Sequence, residues 1–345
     1  MKKSIYKWLL LTGVVLLCTG CGKMQNSMSR AVQEKIELVQ SEMEEVLSEE
    51  EIQNLQINKN FYATLNVPTD VEKIEDTYFI VDCYNNQVIY SDNLNASLTD
   101  WNVMCDSMSE GHTIASDGKV YIIDDTENNR LLVYQKRGNI FIHTQTLSNI
   151  GDRPHYVIYD IKTNTFYVLS SMTGEIYLLQ TRESANADRE VYVKDIKTID
   201  EIANTYCRSF SIIDGSIYFT ASNGMIVEAD FPQCKTRKTY QVPSEIAGLV
   251  QLYKIEDYYY ATVSTNAEGN QDYATILRAR SMEEFQNGNY EDLYDTIEPD
   301  RPSTGTPYNI SSFDGHYYLV EHRHGHGLFQ FDVRDNQIKD ITIVQ

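Results

Sequence analysis

Two histidines, His112 and His155, each open a short apolar run, in "GHTIASD" and "RPHYVIYD". An imidazole titrates near neutral pH, so it can transfer protons or ligate a metal. A third group lies late in the chain, in "EHRHGHG": His322, His324 and His326. Spacing by two puts such residues on one face of a strand, and His-rich tracts can bind metal. Gly325 and Gly327 point instead to a tight turn that would splay them, so adventitious surface histidines are the competing reading. Other chemistry lacks its motif. The chain has no G-x-S-x-G elbow, no H-E-x-x-H and no glycine-rich phosphate loop.

The elements that must carry these histidines are strands. From about residue 60 the apolar period is two, in short runs rich in Tyr, Ile, Val and Phe between Asn, Asp and Gly turns. Tyr alone supplies 25 of 345 residues, and strands favour aromatic and β-branched side chains. One hairpin pattern recurs: "IEDTYFIVDCYNNQVIYSDN", "SDGKVYIIDDTENNRLLVYQKR", "KTNTFYVLSSMTGEIYLLQ", "IDGSIYFTASNGMIVEAD", "EDYYYATVSTNAEGNQDYATILRA" and "FDGHYYLVEHRHGHGLFQFD". Its turns start near Glu75, Asp117, Thr163, Asp214, Glu256 and Asp314, at intervals of roughly 42 to 58 residues. Such periods suit four-stranded propeller blades, and a sandwich would not repeat one hairpin in this way. The expected fold is all-β: a six-bladed β-propeller over 58–345, preceded by an N-terminal amphipathic helix.

"DDTENNRLLVY" resembles the D-x-x-N-x-R core of NHL repeats, and "DCYNNQVIY" is a weaker match with Gln87 in place of Arg. The resemblance implies a propeller of the NHL or lactonase-like type. Propeller geometry then places the start of each inner strand at the mouth of a central channel. Counting five residues back from each turn (from Asp160 in the third blade) selects Asp70, His112, His155, Ser209, Gln251 and Asn309. All are polar, so a polar ring is expected, holding either ordered water or a ligand. Lactonases of this architecture hold calcium with a Glu, Asn and Asp set, of which only Asp70 and Asn309 are present. NHL-type lyases use several channel histidines with zinc. Here His112 and His155 would need a third from His322, His324 or His326. A divalent metal such as zinc or calcium is therefore an open expectation.

The N-terminus is an export signal. Lys2, Lys3 and Lys7 precede the apolar run Trp8 to Leu17, which is too short to span a bilayer. Cys18-Thr19-Gly20-Cys21 resembles the lipobox of bacterial lipoproteins, with Cys18 where that family has Leu. The resemblance implies cleavage before Cys21 and a diacylglyceryl thioether on it, so residues 1–20 are the signal peptide. An ordinary secretory signal cut near Gly20 is the alternative. Residues 21–57 then connect lipid to propeller. Val32, Ile36, Val39, Met43 and Val46 follow helical spacing, which fits a stalk or a helix laid on the domain, the stalk being favoured. A capping box at Ser281 and Glu284 marks a helical turn inserted in the fifth blade.

A formal charge of −21 excludes a nucleic-acid footprint and an electrostatic hold on anionic lipid. Cys83, Cys105, Cys207 and Cys234 fall on non-neighbouring strands, so free thiols are expected. None of the four is in a C-x-x-C pair that would suggest a zinc or redox site. The expected protein is a lipid-anchored binding protein on the extracytoplasmic side of the cell membrane. Its top face would meet a small polar ligand or an envelope protein. A metal-assisted lyase or lactonase at the channel mouth is the alternative.

Overall fold

The computed structural model describes residues 28–184, 188–297, 305–322 and 327–345. The period-two segments form six antiparallel sheets of consecutive strands, four in each except the second, which has five. The first strands of the sheets are Pro68–Ile74, Ile114–Ser116, Pro154–Asp160, Cys207–Ile213, Gly248–Ile255 and Pro307–Phe313. Each packs against the first strand of the next sheet, and the sixth returns to the first. The molecule is a six-bladed β-propeller.

The core is divided among the gaps between blades, because each sheet presents an apolar face to its neighbour. Ile122 and Val133 meet Val168 and Leu179 between blades two and three. Ile80, Ile89 and Trp101 meet Tyr318, Val320 and Leu328 where blade six closes on blade one. Burying one such aliphatic side chain contributes about 1.5–3 kcal/mol. The hairpins turn tightly where Asp214-Gly215 and Asp314-Gly315 take positive φ at both central positions, as a primed turn requires.

The D-x-x-N-x-R core has a local job. Asp125 accepts from Asn128 at 2.9 Å, from Arg130 at 2.6 Å and from the Ser109 amide at 2.7 Å. In blade one, Asp82 accepts from Asn85 and from the Asn66 amide, each at 2.7 Å. Both carboxylates pin the entry into an inner strand to the turn after the second strand. The sequence pattern is therefore a structural staple.

The N-terminal stripe departs from expectation. The helix covers only Arg30–Leu38, capped by Ser29. Val32, Ile36 and Val39 pack on the core between blades two and three, and Lys35 pairs with Glu175. Met43 belongs to a strand, Gln40–Met43, which pairs antiparallel with Ile140–Ser148 as the outer strand of blade two. Val46 lies beyond it, ahead of a short helix, Glu49–Asn54. An outer strand leaves a row of unpaired backbone groups, and pairing with them outweighs the weak intrinsic stability of a second helical turn. The described part of the segment lies against the propeller's side, the less favoured of the two readings. Cys21 lies outside the described residues. Among those residues no helix is long and apolar enough to cross a membrane.

Met282–Gln286 is the expected inserted helix, with Ser281 accepting from the Glu284 amide. Cys83, Cys105, Cys207 and Cys234 are free and buried.

Candidate functional site

Five of the six inner strands begin with a register irregularity, the exception being Ile114–Ser116. Pro68 pairs with Asp82, but Asp70 pairs with Val81, so one residue is left over between them. The same shift falls between Pro154 and Tyr156, Cys207 and Ser209, and Leu249 and Gln251. Such bulges re-aim side chains. They divide the channel mouth into two layers. The paired layer is Asp70, Thr113, Tyr156, Ser209, Gln251 and Asn309. The bulged layer, one residue earlier, is Thr69, His112, His155, Arg208, Val250 and Tyr308.

The single expected ring is corrected accordingly. Asp70, Ser209, Gln251 and Asn309 share the paired layer, but His112 and His155 lie in the bulged one. The cause is where each turn begins. Most inner hairpins have two-residue turns, as between Ile74 and Thr77. The longer loop between Ser116 and Tyr121 starts one residue earlier and shifts the count by one in blade two; in blade three the shift comes from counting from Asp160, which is still paired with Thr165, instead of from Ile161, where the loop begins.

The paired layer stitches the ring. Asp70 accepts from the Ile114 amide at 3.2 Å, and Thr113 accepts from the Val157 amide at 2.9 Å. Ser209 donates to Val250 O at 2.6 Å, and Gln251 accepts from the Ile310 amide at 2.6 Å. Asn309 donates to Asp70 at 2.7 Å, joining blade six to blade one. Tyr156 crosses the channel: its hydroxyl donates to Asn309 at 2.8 Å and accepts from Gln251 at 2.9 Å. The layer divides the axis into two cavities.

The top cavity is about 220 Å³ and is lined by Tyr84, Glu110, His112, Arg153, Tyr206, Arg208, Tyr308 and His322, among others. His112 and His155 stack face to face with ring centroids 3.8 Å apart. Nδ1 of His155 donates to Arg208 O, and Nε2 accepts from the Tyr206 hydroxyl, both at 2.8 Å. Burial, then His112 and Arg208, hold His155 well below the usual imidazole range, so it is neutral. Nδ1 of His112 is 3.0 Å from Thr126 Oγ1. That hydroxyl gives its one proton to Asp124 or Pro154 O, so it accepts from His112. In the neutral tautomer this leaves Nε2 of His112 as an acceptor, 4.0 Å from Cys83 Sγ. Burial pushes the Cys83 thiol up, which keeps it protonated and no nucleophile.

His322 stacks on Tyr308, with centroids 5.6 Å apart. Burial, then His112 and Arg208, lower it to about 4. Among the described residues Arg208 hydrogen-bonds only neutral oxygens, Gly248 O and Ser264 Oγ, and lies over the Tyr206 ring. Arg153, also over that ring, pairs with Glu127 at 2.5 Å. Stacked imidazoles point faces, not lone pairs, at each other, and both nitrogens of His155 are engaged. Among the described residues no group of three or more His, Cys, Asp or Glu is arranged to hold a metal ion. His324 and His326 lie outside those residues.

Counting from turns missed Arg208, Tyr308, Thr113 and Tyr156. Alternation would have found two of them: Arg208 and Tyr308 immediately precede Ser209 and Asn309, as the histidines precede Thr113 and Tyr156.

No protein-family model and no curated protein matches the chain. Solved structures do. The periplasmic gluconolactonase of Pseudomonas aeruginosa is 10% identical, with a TM-score of 0.54 over 80% of this chain and 85% of that one. A streptogramin B lyase is 13% identical, with a TM-score of 0.52 over 84% and 87% of the two chains. A candidate 6-phosphogluconolactonase of Bacteroides fragilis is 11% identical, with a TM-score of 0.56 over 81% and 85%. At such identities the likeness is one of fold: a six-bladed propeller with lactonase-like and other propeller neighbours.

Proposed function

We propose that the chain is a lipid-anchored, extracytoplasmic propeller that binds a small anionic ligand in its top cavity. The observation that carries this reading is Arg208, a cavity-lining guanidinium that pairs with no carboxylate among the described residues. Guanidinium binds carboxylate and phosphate bidentately, and a partly desolvated site strengthens the pair. Tyr206, Tyr308 and the neutral His322 offer flat walls and hydrogen-bonding groups, and Glu110, a carboxylate in the lining, lies 3.9 Å from Arg153. Anchoring rests on the lipobox-like Cys18-Thr19-Gly20-Cys21.

The binding test is thermal melting of the purified protein against short-chain carboxylates, sugar acids and phosphate esters, with Arg208→Met alongside. A ligand bound only to the native state raises the melting temperature by mass action. The expected result is stabilisation of the wild type by at least one anion class and none of the variant. Equal responses would remove the site. For the anchor, Cys21→Ala should leave the membrane fraction, and a variant that stays membrane-bound contradicts lipidation.

One observation favours an enzymatic reading. Asp124 and Thr126 orient His112 so that Nε2 carries the lone pair, the arrangement a general base needs. Two structural neighbours bear the names gluconolactonase and lyase. Lactone opening by this protein, abolished in His112→Gln, would support it.

A further inference from the structure

Below the Tyr156 seal the channel opens into a second cavity of about 920 Å³, at the end of the molecule that carries the inner hairpin turns. Its upper wall is the paired layer. Two residues further along each inner strand, where side chains return to the same face, stand Glu72, Ala115, Ile158, Ser211, Tyr253 and Ser311. In this lower ring the serines are satisfied: Ser211 donates to Leu252 O and Ser311 to Val71 O. Tyr253 bonds Ser312 at 2.8 Å. Glu72 is the one carboxyl group, and among the described residues no hydrogen bond or ion pair engages it. Its ring neighbours are Ala115 and Ser311 on the flanking blades, then Ile158, Tyr253 and Ser211, and the hydroxyls of both serines are already donated to backbone carbonyls.

The nearby cations do not answer it. Lys73 bonds Asp314 at 2.6 Å, and Lys254 pairs with Asp214. Deeper in, both oxygens of Asp70 are occupied, by Asn309 and by the Ile114 amide. Burial, then the charge of Asp70, holds the Glu72 carboxyl well above its usual range. A desolvated carboxyl without a partner in a roomy cavity is a cost to folding without a structural return.

We propose that the lower cavity binds an organic cation, an alkylammonium group that pairs with Glu72 and lies against Tyr253. The carboxylate supplies a charge-assisted hydrogen bond, and the aromatic face adds a cation–π attraction. Ile158 offers apolar surface to the alkyl part. A hard divalent metal fits less well, since it needs about six oxygen ligands and Glu72 is the one free carboxylate in this ring. The proposal is independent of the anion site, which lies on the other side of Tyr156 and involves none of these residues.

The test is calorimetric titration of the purified protein with agmatine and with hexylamine at 150 mM salt, a level that screens loose attraction to the acidic surface. The variants are Glu72→Gln and, as an exposed control, Glu268→Gln. The expected result is single-site binding to the wild type and the control, weakened at least tenfold in Glu72→Gln. The Glu72→Gln variant should melt no lower than the wild type, because a desolvated carboxyl has been removed. The idea is overturned by no binding of either amine to the wild type, or by equal binding to Glu72→Gln. Calcium chloride is the third titrant. Calcium binding that is lost in Glu72→Gln, without amine binding, would assign the cavity to a metal and overturn the ammonium reading.

Discussion

Asn309, in the last blade, donates its side-chain amide to Asp70, in the first, at 2.7 Å, and its own carbonyl oxygen accepts from Tyr156 at 2.8 Å. One side chain thus closes the ring and seals the channel. All of blade six comes from the C-terminal end of the chain, so closure does not use a strand exchanged between termini. It depends on side chains at this seam.

Asn309→Ala should therefore destabilise the fold by about 2–3 kcal/mol, because it leaves a buried carboxyl and a buried hydroxyl short of partners. Urea unfolding measures this. A loss under about 0.5 kcal/mol would mean that the apolar contacts of the seam suffice alone.

Removal of blade six should abolish cooperative melting. The seam also holds Ser311 on Val71 O at 2.6 Å, Tyr78 on Asp314 at 2.8 Å and Gln345 on Leu94 O at 2.7 Å. A chain ending at residue 304 loses these and exposes Ile80 and Trp101, which are fully buried here. Calorimetry that shows a sharp transition in that fragment contradicts the closed ring.

Acid should weaken the protein through His322. Its folded value, about 4, lies below the ordinary 6.5, so between those values the unfolded chain binds a proton that the folded one does not. Stability contributed by the neutral ring is full above about 6.5 and is lost as pH falls toward 4. At pH 5 the loss is about 2 kcal/mol relative to pH 7.5. His322→Gln should lose correspondingly less over that interval. Parallel urea curves for both proteins at the two pH values decide it, and identical losses would place His322 in water.

The N-terminal segment should contribute to stability without being needed for the fold. Ile36→Ser removes one half-buried contact with the core between blades two and three and should cost about 1 kcal/mol. A larger loss, with the melting transition broadened, would make the segment part of the propeller's folding unit.

The architecture was legible in the sequence because its cause is local. A period-two run flanked by Asp-Gly and Asn-Asn turns specifies a hairpin wherever it occurs, and its repetition specifies blades. The capping box at Ser281 and the unpaired cysteines were readable for the same reason. The candidate site was legible only in part. Asp70, Ser209, Gln251 and Asn309 fell in one layer as counted, whereas His112 was displaced by a longer hairpin loop and His155 by a turn placed at Asp160, which still belongs to the strand.

Tertiary structure alone decided the rest, because pairing and charge depend on partners distant in sequence. The strand Gln40–Met43 has helical spacing, and only the open edge at Ile140–Ser148 makes it a strand. Arg208 is an ordinary arginine until its neighbours prove to be a carbonyl and a hydroxyl rather than a carboxylate. Glu72 is one acid among many in an acidic chain. Its exceptional position comes from six inner strands, each carrying a different residue to the same depth.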